Sequence, residues 1–307
     1  MMTVYDLKTM QICDITENTV LALGTFDGCH EGHRAIFGSA IRLAVKMKAK
    51  CGVYTFSDIP NTDTGSKKLI YTLDEKINFI RRTGADYLII DDFSSVRNLS
   101  GEEFVNTVLK RRLHCVGVSC GYNYRFGRGA ELGAEDLVRF FENDVGSVQI
   151  SSPVLYGDTP ISSTLIREKI ENGECEAILP YCNPYSVYAE VITGKQLGRK
   201  MGTPTINQLI PEDKVKPLRG VYITECEIGE DVYPSVTNVG TRPTTDGDGA
   251  RENMETHIIG YDGNLYSSYV RVNFYKFLRH EKKFGSIDEL IARIQKDCNE
   301  ARDYFLK

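Results

Sequence analysis

The sequence lacks several features that would point to common classes of protein. It has no tryptophan, no Cys-x-x-Cys pair, and no apolar run near the roughly 18 residues that a membrane-spanning helix needs. Its nine cysteines are scattered, which argues against a zinc ribbon and against a disulfide framework. Residues 1–18 mix charges and contain no signal-peptide core, so we expect a cytoplasmic protein without a membrane partner.

The chain also lacks a strong charge bias. It carries 37 Lys and Arg against 42 Asp and Glu, a formal net charge of −5, and no Lys/Arg block. Nucleic-acid-binding domains present a basic patch, so the predicted partners are small molecules rather than nucleic acid. The length of 307 residues suggests two domains, at about 150 residues each. The composition leaves open whether the chain forms a homo-oligomer.

The first half of the chain alternates strand-like and helix-like segments. Val20–Leu23, Val53–Phe56 and Tyr87–Ile90 are short apolar runs, and apolar residues recur at helical spacing between them. Capping-box pairs, Thr72 with Glu75 and Ser100 with Glu103, mark the starts of two helices. This order predicts an α/β domain with a Rossmann-like, mostly parallel sheet, in which ligands bind beyond the carboxyl ends of the strands.

The pattern changes after about residue 173. Val187, Ala189 and Val191 alternate with more polar neighbours, as do residues 270–274, and this period of two predicts antiparallel strands in a barrel or sandwich. Ser286 and Glu289 begin one terminal helix. We therefore predict an α/β domain at residues 1–182 and a β domain at residues 183–307, with the boundary near Leu179–Pro184.

The segment Gly24–His33, with the sequence GTFDGCHEGH, lies between the first predicted strand and the first predicted helix. A helix N-terminus favours an anion, and imidazoles beside it can hydrogen-bond the charge that develops on a phosphorus centre. The two histidines alone are as typical of metal ligands or surface residues as of a phosphate site. The preceding strand and the GxFDG sequence favour nucleotide binding.

Two later segments could supply phosphate contacts. Gly121–Gly127 contains Asn123 and Arg125, and Ile161–Arg167 begins with hydroxyl side chains ahead of an apolar-periodic run. Ser162, Ser163 and Thr164 can cap a helix and donate to phosphate oxygens, and Arg167 would add a fixed positive charge. Each segment alone is more typical of an ordinary helix cap or a surface charge.

Together these first-half motifs resemble the modified HIGH-type motif of nucleotidylyltransferases, in the GxFDGxHxGH form of prokaryotic bifunctional FAD synthetases. Gly121–Gly127 is similar to the family's G-x-(D/N)-(F/Y)-x-F-G element, and Ile161–Arg167 to its SSTxIR element. The resemblance implies that His30 and His33 are catalytic. It implies that the ATP-binding residues of an adenylyltransferase are Gly24, Phe26, Asp27, His30, His33, Asn123, Arg125, Ser162, Ser163, Thr164 and Arg167.

The second-half segment 194–207 is rich in glycine and cations but matches neither a Walker A loop nor a Rossmann fingerprint. Its glycine content by itself predicts a flexible surface loop. It resembles the riboflavin kinase signature GRxxGxPTxN, and similar kinase motifs follow in family order as far as residue 284. The resemblance implies that ATP is bound by Gly194, Lys195, Gly198, Thr205 and Asn207. It also implies that Thr205 and Asn207 hold Mg²⁺, for which hydroxyl and amide oxygens are suitable hard ligands.

The same resemblance assigns Glu255 as the general base that takes the proton of the riboflavin 5′-hydroxyl. Arg279, Glu281 and Phe284 fit a flavin pocket or a cover over the barrel equally well. We expect His257 to be a packed strand residue rather than a catalyst.

The resemblance covers nearly the whole chain and implies a bifunctional riboflavin kinase and FMN adenylyltransferase whose C-terminal kinase domain is an antiparallel β-barrel. ATP would be the co-substrate, and riboflavin, FMN and FAD would be substrate or products. One departure is the absence of the family's Phe-x-Pro-His-Pro element at Phe56–Asn61. Two alternatives therefore stay open. The first half could transfer nucleotide to another phosphorylated alcohol, or the whole chain could be a flavin-binding sensor that has lost turnover.

Overall fold

The computed structural model describes residues 2–8, 15–57, 68–141, 146–194, 203–243 and 250–306. The chain divides into two compact units, Met1–Ser163 and Thr164–Lys307. This division assigns residues 164–182 to the second unit, whereas the sequence places the boundary at 182; the functional boundary stays a prediction. No helix in the described part of the chain is long and apolar enough to cross a membrane.

The first unit combines short strands with helices. Its strands are β1 (Thr3–Asp6), β2 (Thr19–Leu23), β3 (Lys50–Phe56), β4 (Tyr87–Asp91), β5 (Cys115–Gly121), β6 (Arg125–Phe126), β7 (Leu132–Gly133), β8 (Val148–Ser151), β9 (Leu155–Tyr156) and β10 (Thr159–Pro160). Its helices are α1 (Glu31–Met47), α2 (Leu73–Arg81), α3 (Phe93–Val96), α4 (Gly101–Glu103), a π-helix (Phe104–Arg112), a 3₁₀ turn (Arg128–Ala130) and α5 (Asp136–Phe140).

Six of these strands form a parallel sheet in the order β1-β4-β3-β2-β5-β8. Every residue of β2 and of β4 is buried, as is typical of strands covered on both faces. This architecture confirms the predicted α/β fold. It also brings the loops after β2, β3, β4 and β5 to one edge of the sheet, where ligands of such folds bind.

Local capping explains where two helices begin. Thr72 and Glu75 form a reciprocal capping box at α2, and Ser100 and Glu103 form another at α4, which confirms both predicted helix starts. The chain after Glu103 continues as a π-helix instead of the expected α-helix. Its buried residues are two adjacent pairs that lie four positions apart, a pattern that does not distinguish the two helix types. These buried residues are Phe104, Val105, Val108 and Leu109.

The second unit is mainly antiparallel. Its helices are α6 (Ser163–Glu171), whose first residue lies at the division, α7 (Cys175–Ile178) and α8 (Ile287–Phe305). Its strands are β11 (Tyr185–Glu190), β12 (Ile206–Leu209), β13 (Gly220–Ile228), β14 (Asp231–Pro243), β15 (Ala250–Ile258) and β16 (Tyr269–Arg279). They form one sheet in the order β11-β16-β13-β14-β15-β12.

The two edge strands of this sheet approach each other and nearly close a barrel. An antiparallel bridge joins Ile192 to Asn207. The buried Gln208 side chain donates from Nε2 to the carbonyls of Ala189, at 2.7 Å, and Val270, at 2.8 Å, so that it joins three strands. The barrel confirms one of the two predicted β architectures. The sequence pattern could not choose between them, because strand closure depends on contacts between distant segments.

The terminal helix α8 begins where the sequence predicts, with the Ser286 hydroxyl accepting a hydrogen bond from the Glu289 amide. Its apolar stripe is only partly buried. Cys298 packs in the core, whereas Ile287 is 64% exposed in the first turn. The second half of the helix therefore supplies most of its packing against the barrel.

Candidate active sites

The loop between β2 and α1 has an unusual backbone. Phe26, Gly28 and Cys29 all have positive φ, at 51°, 80° and 39°. A Cβ atom at Gly24 would lie 2.8 Å from the Phe26 ring, so only glycine there leaves room for that ring. The glycines of the GxFDG motif thus serve to fold the loop tightly above the sheet edge.

His30 and His33 lie together at the start of α1. His30 is the N-cap residue, and the two imidazole rings stack with centroids 3.6 Å apart and planes 23° apart. The edge of His33 meets the Phe26 ring at 5.3 Å between centroids. A Cβ atom at Gly32 would come within 3.1 Å of the His30 ring, so this glycine permits the stacking.

The environment of the two imidazoles keeps them neutral. Burial lowers the pKa of His30 to about 4. Burial, followed by the charges of His30 and Lys76, lowers the pKa of His33 well below its ordinary value. Within the described residues, the buried Nδ1 atoms of both rings have no hydrogen-bond partner. A pair of desolvated, unsatisfied imidazoles beside a helix N-terminus is suited to hydrogen-bonding an anionic ligand.

Asp27 stabilises the β2–α1 loop through hydrogen bonds. Its carboxylate is buried and accepts hydrogen bonds from the amides of Ile70, at 3.0 Å, and Tyr71, at 3.1 Å. The Ser163 hydroxyl donates to the Asp27 carbonyl at 2.7 Å. These contacts tie the β2–α1 loop to the segment before α2. Asp27 and Ser163, both predicted to bind ATP, thus have partners in the protein itself.

The other predicted ATP-binding residues of the first half are more exposed. Asn123 and Arg125 lie in and after the turn that follows β5, and Arg125 donates from Nε to the Ala130 carbonyl at 3.0 Å. Thr164 and Arg167 lie on α6, in the second unit. Ser162 is partly buried just before that helix. Their contacts with ATP stay predictions.

Six aromatic residues form a cluster at the carboxyl edge of the parallel sheet, which the sequence motifs do not predict. Ring centroids of its neighbouring members lie between 5.3 Å and 6.2 Å apart. The members are Tyr54, Phe56, Phe93, Phe104, Tyr124 and Phe126, and we call them the aromatic cluster. The sequence does contain a signal for this cluster: an aromatic residue lies at or just after the end of each of β3, β4 and β5, and these strand ends share one edge of the sheet.

In the second unit, three polar residues form a row across neighbouring strands. Glu255 of β15 lies directly opposite Asn207 of β12 on one side and opposite Asn238 of β14 on the other. Directly opposed residues of antiparallel strands share a face, with Cβ atoms about 5 Å apart. Glu255 is exposed, whereas its neighbours Met254 and Thr256 are buried in the barrel, so the row lies on the outer face.

Glu281 extends this row. The Asn238 side chain donates from Nδ2 to Glu281 Oε1 at 2.9 Å. A Cβ atom at Gly240 would lie 2.8 Å from the same oxygen, so the glycine makes room for the carboxylate. The predicted kinase residue Glu255 and the predicted flavin residue Glu281 thus both adjoin Asn238.

Arg279 and Phe284 have other contacts. The Arg279 guanidinium pairs with the buried Asp297 of α8, at 2.8 Å between Nη2 and Oδ2, and lies 5.7 Å from the Phe284 ring centroid. These contacts attach the segment after β16 to the terminal helix. Contacts of this kind are expected of residues that cover the barrel, and a flavin contact of these two residues stays a prediction.

Thr205 immediately precedes β12, and Asn207 is the second residue of that strand. A Cβ atom at Gly194 would collide with the Asn207 amide, so glycine there permits this close approach. Lys195 and Gly198, predicted with them, lie outside the described residues, as do residues 58–61 of the altered Phe56–Asn61 loop. A hydroxyl and a buried amide two residues apart in the chain are donors that suit Mg²⁺ together with phosphate oxygens.

Thr205 also lines a cavity of about 230 Å³. Its walls combine apolar side chains, such as those of Ile206 and Ile258, with polar side chains, such as those of Asp262 and Asn264. The buried Thr256 also lines the cavity, and its hydroxyl shares a hydrogen bond of 2.9 Å with that of Thr237. A cavity of this size with several polar groups along its walls can hold part of a small-molecule ligand.

Two family models match the chain in succession: the FAD synthetase model matches residues 13–165, and the riboflavin kinase model matches residues 181–305. Two curated relatives are both described as bifunctional riboflavin kinase/FMN adenylyltransferase. That of Bacillus subtilis is 30% identical, covering 94% of this chain and 92% of the relative. That of Escherichia coli is 32% identical, covering 94% and 93%.

A solved structure also matches over nearly the full length. It is the crystal structure of a protein described as a macrolide-efflux protein from Streptococcus pneumoniae, with a TM-score of 0.87 and 30% identity. The match covers 97% of this chain and 98% of that one, so the two proteins share both folds. With two family models in order and relatives aligned over 94% of its length, the chain belongs to the bifunctional riboflavin kinase/FMN adenylyltransferase family.

Proposed function

We propose that the chain carries out two successive ATP-dependent reactions, each at its own site. The second unit phosphorylates riboflavin to FMN, and the first unit transfers AMP from ATP to FMN, giving FAD and pyrophosphate. The observation that carries this proposal is the pair of sites of different chemistry, the neutral His30–His33 stack and the Glu255 row. Each site lies within the segment matched by its own family model.

The division of labour follows residues 1–182 and 183–307. The first matched segment ends at residue 165 and the second begins at residue 181, which supports a functional boundary close to the predicted one. Both reactions consume ATP, which fits the cytoplasmic location expected from the sequence.

In the adenylyltransferase site, His30 and His33 would bind the α-phosphate of ATP. Each neutral imidazole can donate one N–H to a phosphate oxygen as the FMN phosphate attacks the α-phosphorus and pyrophosphate leaves. The N-terminus of α1 adds a favourable potential for the same anion. Such preorganised donors stabilise the charge of the transition state, typically by a factor of about 10²–10³ in rate for each donor.

The aromatic cluster would bind the isoalloxazine ring of FMN. Phe56, Phe93 and Tyr124 are partly exposed, so their rings can pack on a planar apolar ligand. This cluster lies at the same sheet edge as the β2–α1 loop, where FMN and ATP must meet. Flavin binding here would not need the Phe-x-Pro-His-Pro element that the chain lacks.

In the kinase site, Glu255 would act as the general base. It would take the proton of the riboflavin 5′-hydroxyl as that oxygen attacks the γ-phosphorus and ADP leaves. Thr205 and Asn207 would hold Mg²⁺, which neutralises charge on the ATP phosphates when bound. The cavity beside Thr205 would take the base and sugar of the same ATP.

Glu281 would border the flavin of the kinase site, and Arg279 and Phe284 would support it there. Glu281 has the strongest support, because its carboxylate hydrogen-bonds Asn238 next to Glu255. Arg279 and Phe284 would act indirectly, by holding the segment that carries Glu281 against α8.

The experiment that tests the proposal is incubation with riboflavin, ATP and Mg²⁺, followed by chromatographic separation of the flavins. FMN should appear first and FAD after it, and chelation of Mg²⁺ should stop FMN formation. Flavin binding without ATP consumption would instead identify a sensor. A product other than FAD from a panel of nucleotides and phosphorylated alcohols would identify a different transferase.

A further inference from the structure

His257 makes a contact whose purpose the two reactions do not explain. It lies on β15 two residues after Glu255, and its Nδ1 atom is 2.8 Å from the carbonyl oxygen of Pro204. Pro204 immediately precedes Thr205, and both line the cavity. The imidazole thus joins the strand of the predicted general base to the segment of the predicted Mg²⁺ ligand.

Residues 203–205 lie outside the strand ladder that holds β12 in place. The β12–β15 ladder begins at Ile206, opposite Thr256, and residues 203–205 precede it without strand conformation. Proline has no amide hydrogen, so Pro204 cannot donate a hydrogen bond that would continue the ladder. Its carbonyl can accept one, and His257 supplies the donor from the opposite strand.

The contact with a carbonyl oxygen determines which nitrogen of the His257 imidazole carries a proton. A carbonyl oxygen only accepts, so Nδ1 must carry the proton. The neutral tautomer with its proton on Nδ1 and the imidazolium ion can both donate this hydrogen bond. An amide nitrogen such as that of asparagine could donate in the same way.

We propose that His257 is a positioning residue of the kinase, which fixes the Pro204 carbonyl and thereby sets the location of Thr205 for MgATP. The inference rests on the proposed role of Thr205 in the kinase site. Residues that orient metal ligands typically contribute about 10–100-fold in affinity or activity. His257 itself touches neither the phosphate nor the flavin in this scheme.

The test compares three variants of the full chain. His257→Phe keeps an aromatic ring but removes the donor, His257→Asn keeps a donor, and Val232→Ala is a control at an exposed position of the same barrel. Calorimetric titration with MgADP should give a dissociation constant about tenfold weaker for His257→Phe, with most of the affinity restored in His257→Asn. The KM for ATP in FMN formation should rise in parallel, whereas riboflavin binding, followed by flavin fluorescence, and FMN adenylylation should stay unchanged.

Two results would overturn the inference: MgADP binding by His257→Phe within twofold of the parent protein, or binding by His257→Asn as weak as that by His257→Phe. If His257→Phe does not fold, His257→Val, which suits a strand and also lacks a donor, replaces it. Thr205→Ala separates this inference from the proposed function. Normal MgADP binding by Thr205→Ala contradicts the assigned site, whereas weak binding by Thr205→Ala with normal binding by His257→Phe contradicts the role of His257 alone.

Discussion

The two candidate sites of this chain have opposite chemical character. In the first unit, His30 and His33 are desolvated, stacked and neutral at the start of a helix. In the second unit, Glu255 is exposed on the outer face of a barrel, between two asparagines. Adenylyl transfer requires donors for a developing negative charge, whereas phosphorylation of a hydroxyl requires a group that accepts a proton. The contrast indicates that the sites can be disabled separately.

The largest expected effect comes from removing the base. Glu255→Gln should lower the rate of FMN formation by about 10²–10⁴, the usual contribution of general base catalysis, and should leave conversion of FMN to FAD intact. Initial rates with riboflavin and with FMN as substrate measure the two activities. Glu230→Gln, in an exposed turn, is the matched control and should leave both rates unchanged. Equal loss of both activities in Glu255→Gln would contradict the separation of the sites.

Removing one imidazole should have the next largest effect, and in the other reaction. His30→Ala should lower FAD formation from FMN by about 10²–10³, because one preorganised donor to the α-phosphate is lost. FMN formation should stay at the level of the parent protein. His114→Asn provides an exposed histidine control, and asparagine tolerates the positive φ of that residue. An undiminished rate of FAD formation in His30→Ala would refute the assignment of the first site.

The buried histidines should also make stability depend on pH. Folding lowers the pKa of His30 from 6.5 to about 4, so the unfolded chain binds more protons than the folded chain in that interval. The free energy of unfolding should therefore fall as the pH falls from 6.5 to 4, by about 3 kcal/mol for His30. Denaturant titrations at several pH values measure this slope. In His30→Asn, which retains a good N-cap residue, the slope should be shallower, and an unchanged slope would show that His30 titrates normally.

The smallest effect is expected at the aromatic cluster. Phe93→Ala should raise the KM for FMN in the adenylyltransferase reaction about tenfold, because one ring of the proposed flavin surface is lost. The KM for riboflavin in the kinase reaction should not change. A similar rise in both KM values, or in neither, would remove the reason for assigning FMN to this cluster.

Much of this organisation follows from local sequence. The capping pairs at Thr72 and Ser100, the apolar strands β2 to β4 and the GxFDG loop are short-range features, and each lies where the sequence predicts. Periodicity of two likewise locates β11 and β16. Local patterns of this kind identify elements because their causes, such as capping and burial of alternate residues, act within a few residues.

The parts that could not be predicted depend on contacts between distant residues. The aromatic cluster combines rings from residue 54 to residue 126, and the His257–Pro204 hydrogen bond spans 53 residues. Asp27 matches the nucleotide-binding motif, yet its carboxylate caps amides more than 40 residues away. In each case, the residue type fits several roles, and only the register of the folded chain selects one.

The central claim, that one chain holds two independent active sites, can be tested by mixing two inactive variants. Glu255→Gln and His30→Ala are each incubated with riboflavin, ATP and Mg²⁺, alone and in equal mixture, and the flavins are separated by chromatography. Glu255→Gln alone should leave riboflavin unconverted, His30→Ala alone should stop at FMN, and the mixture should form FAD. A mixture that forms no FAD, although His30→Ala accumulates FMN and Glu255→Gln is correctly folded, would contradict the account.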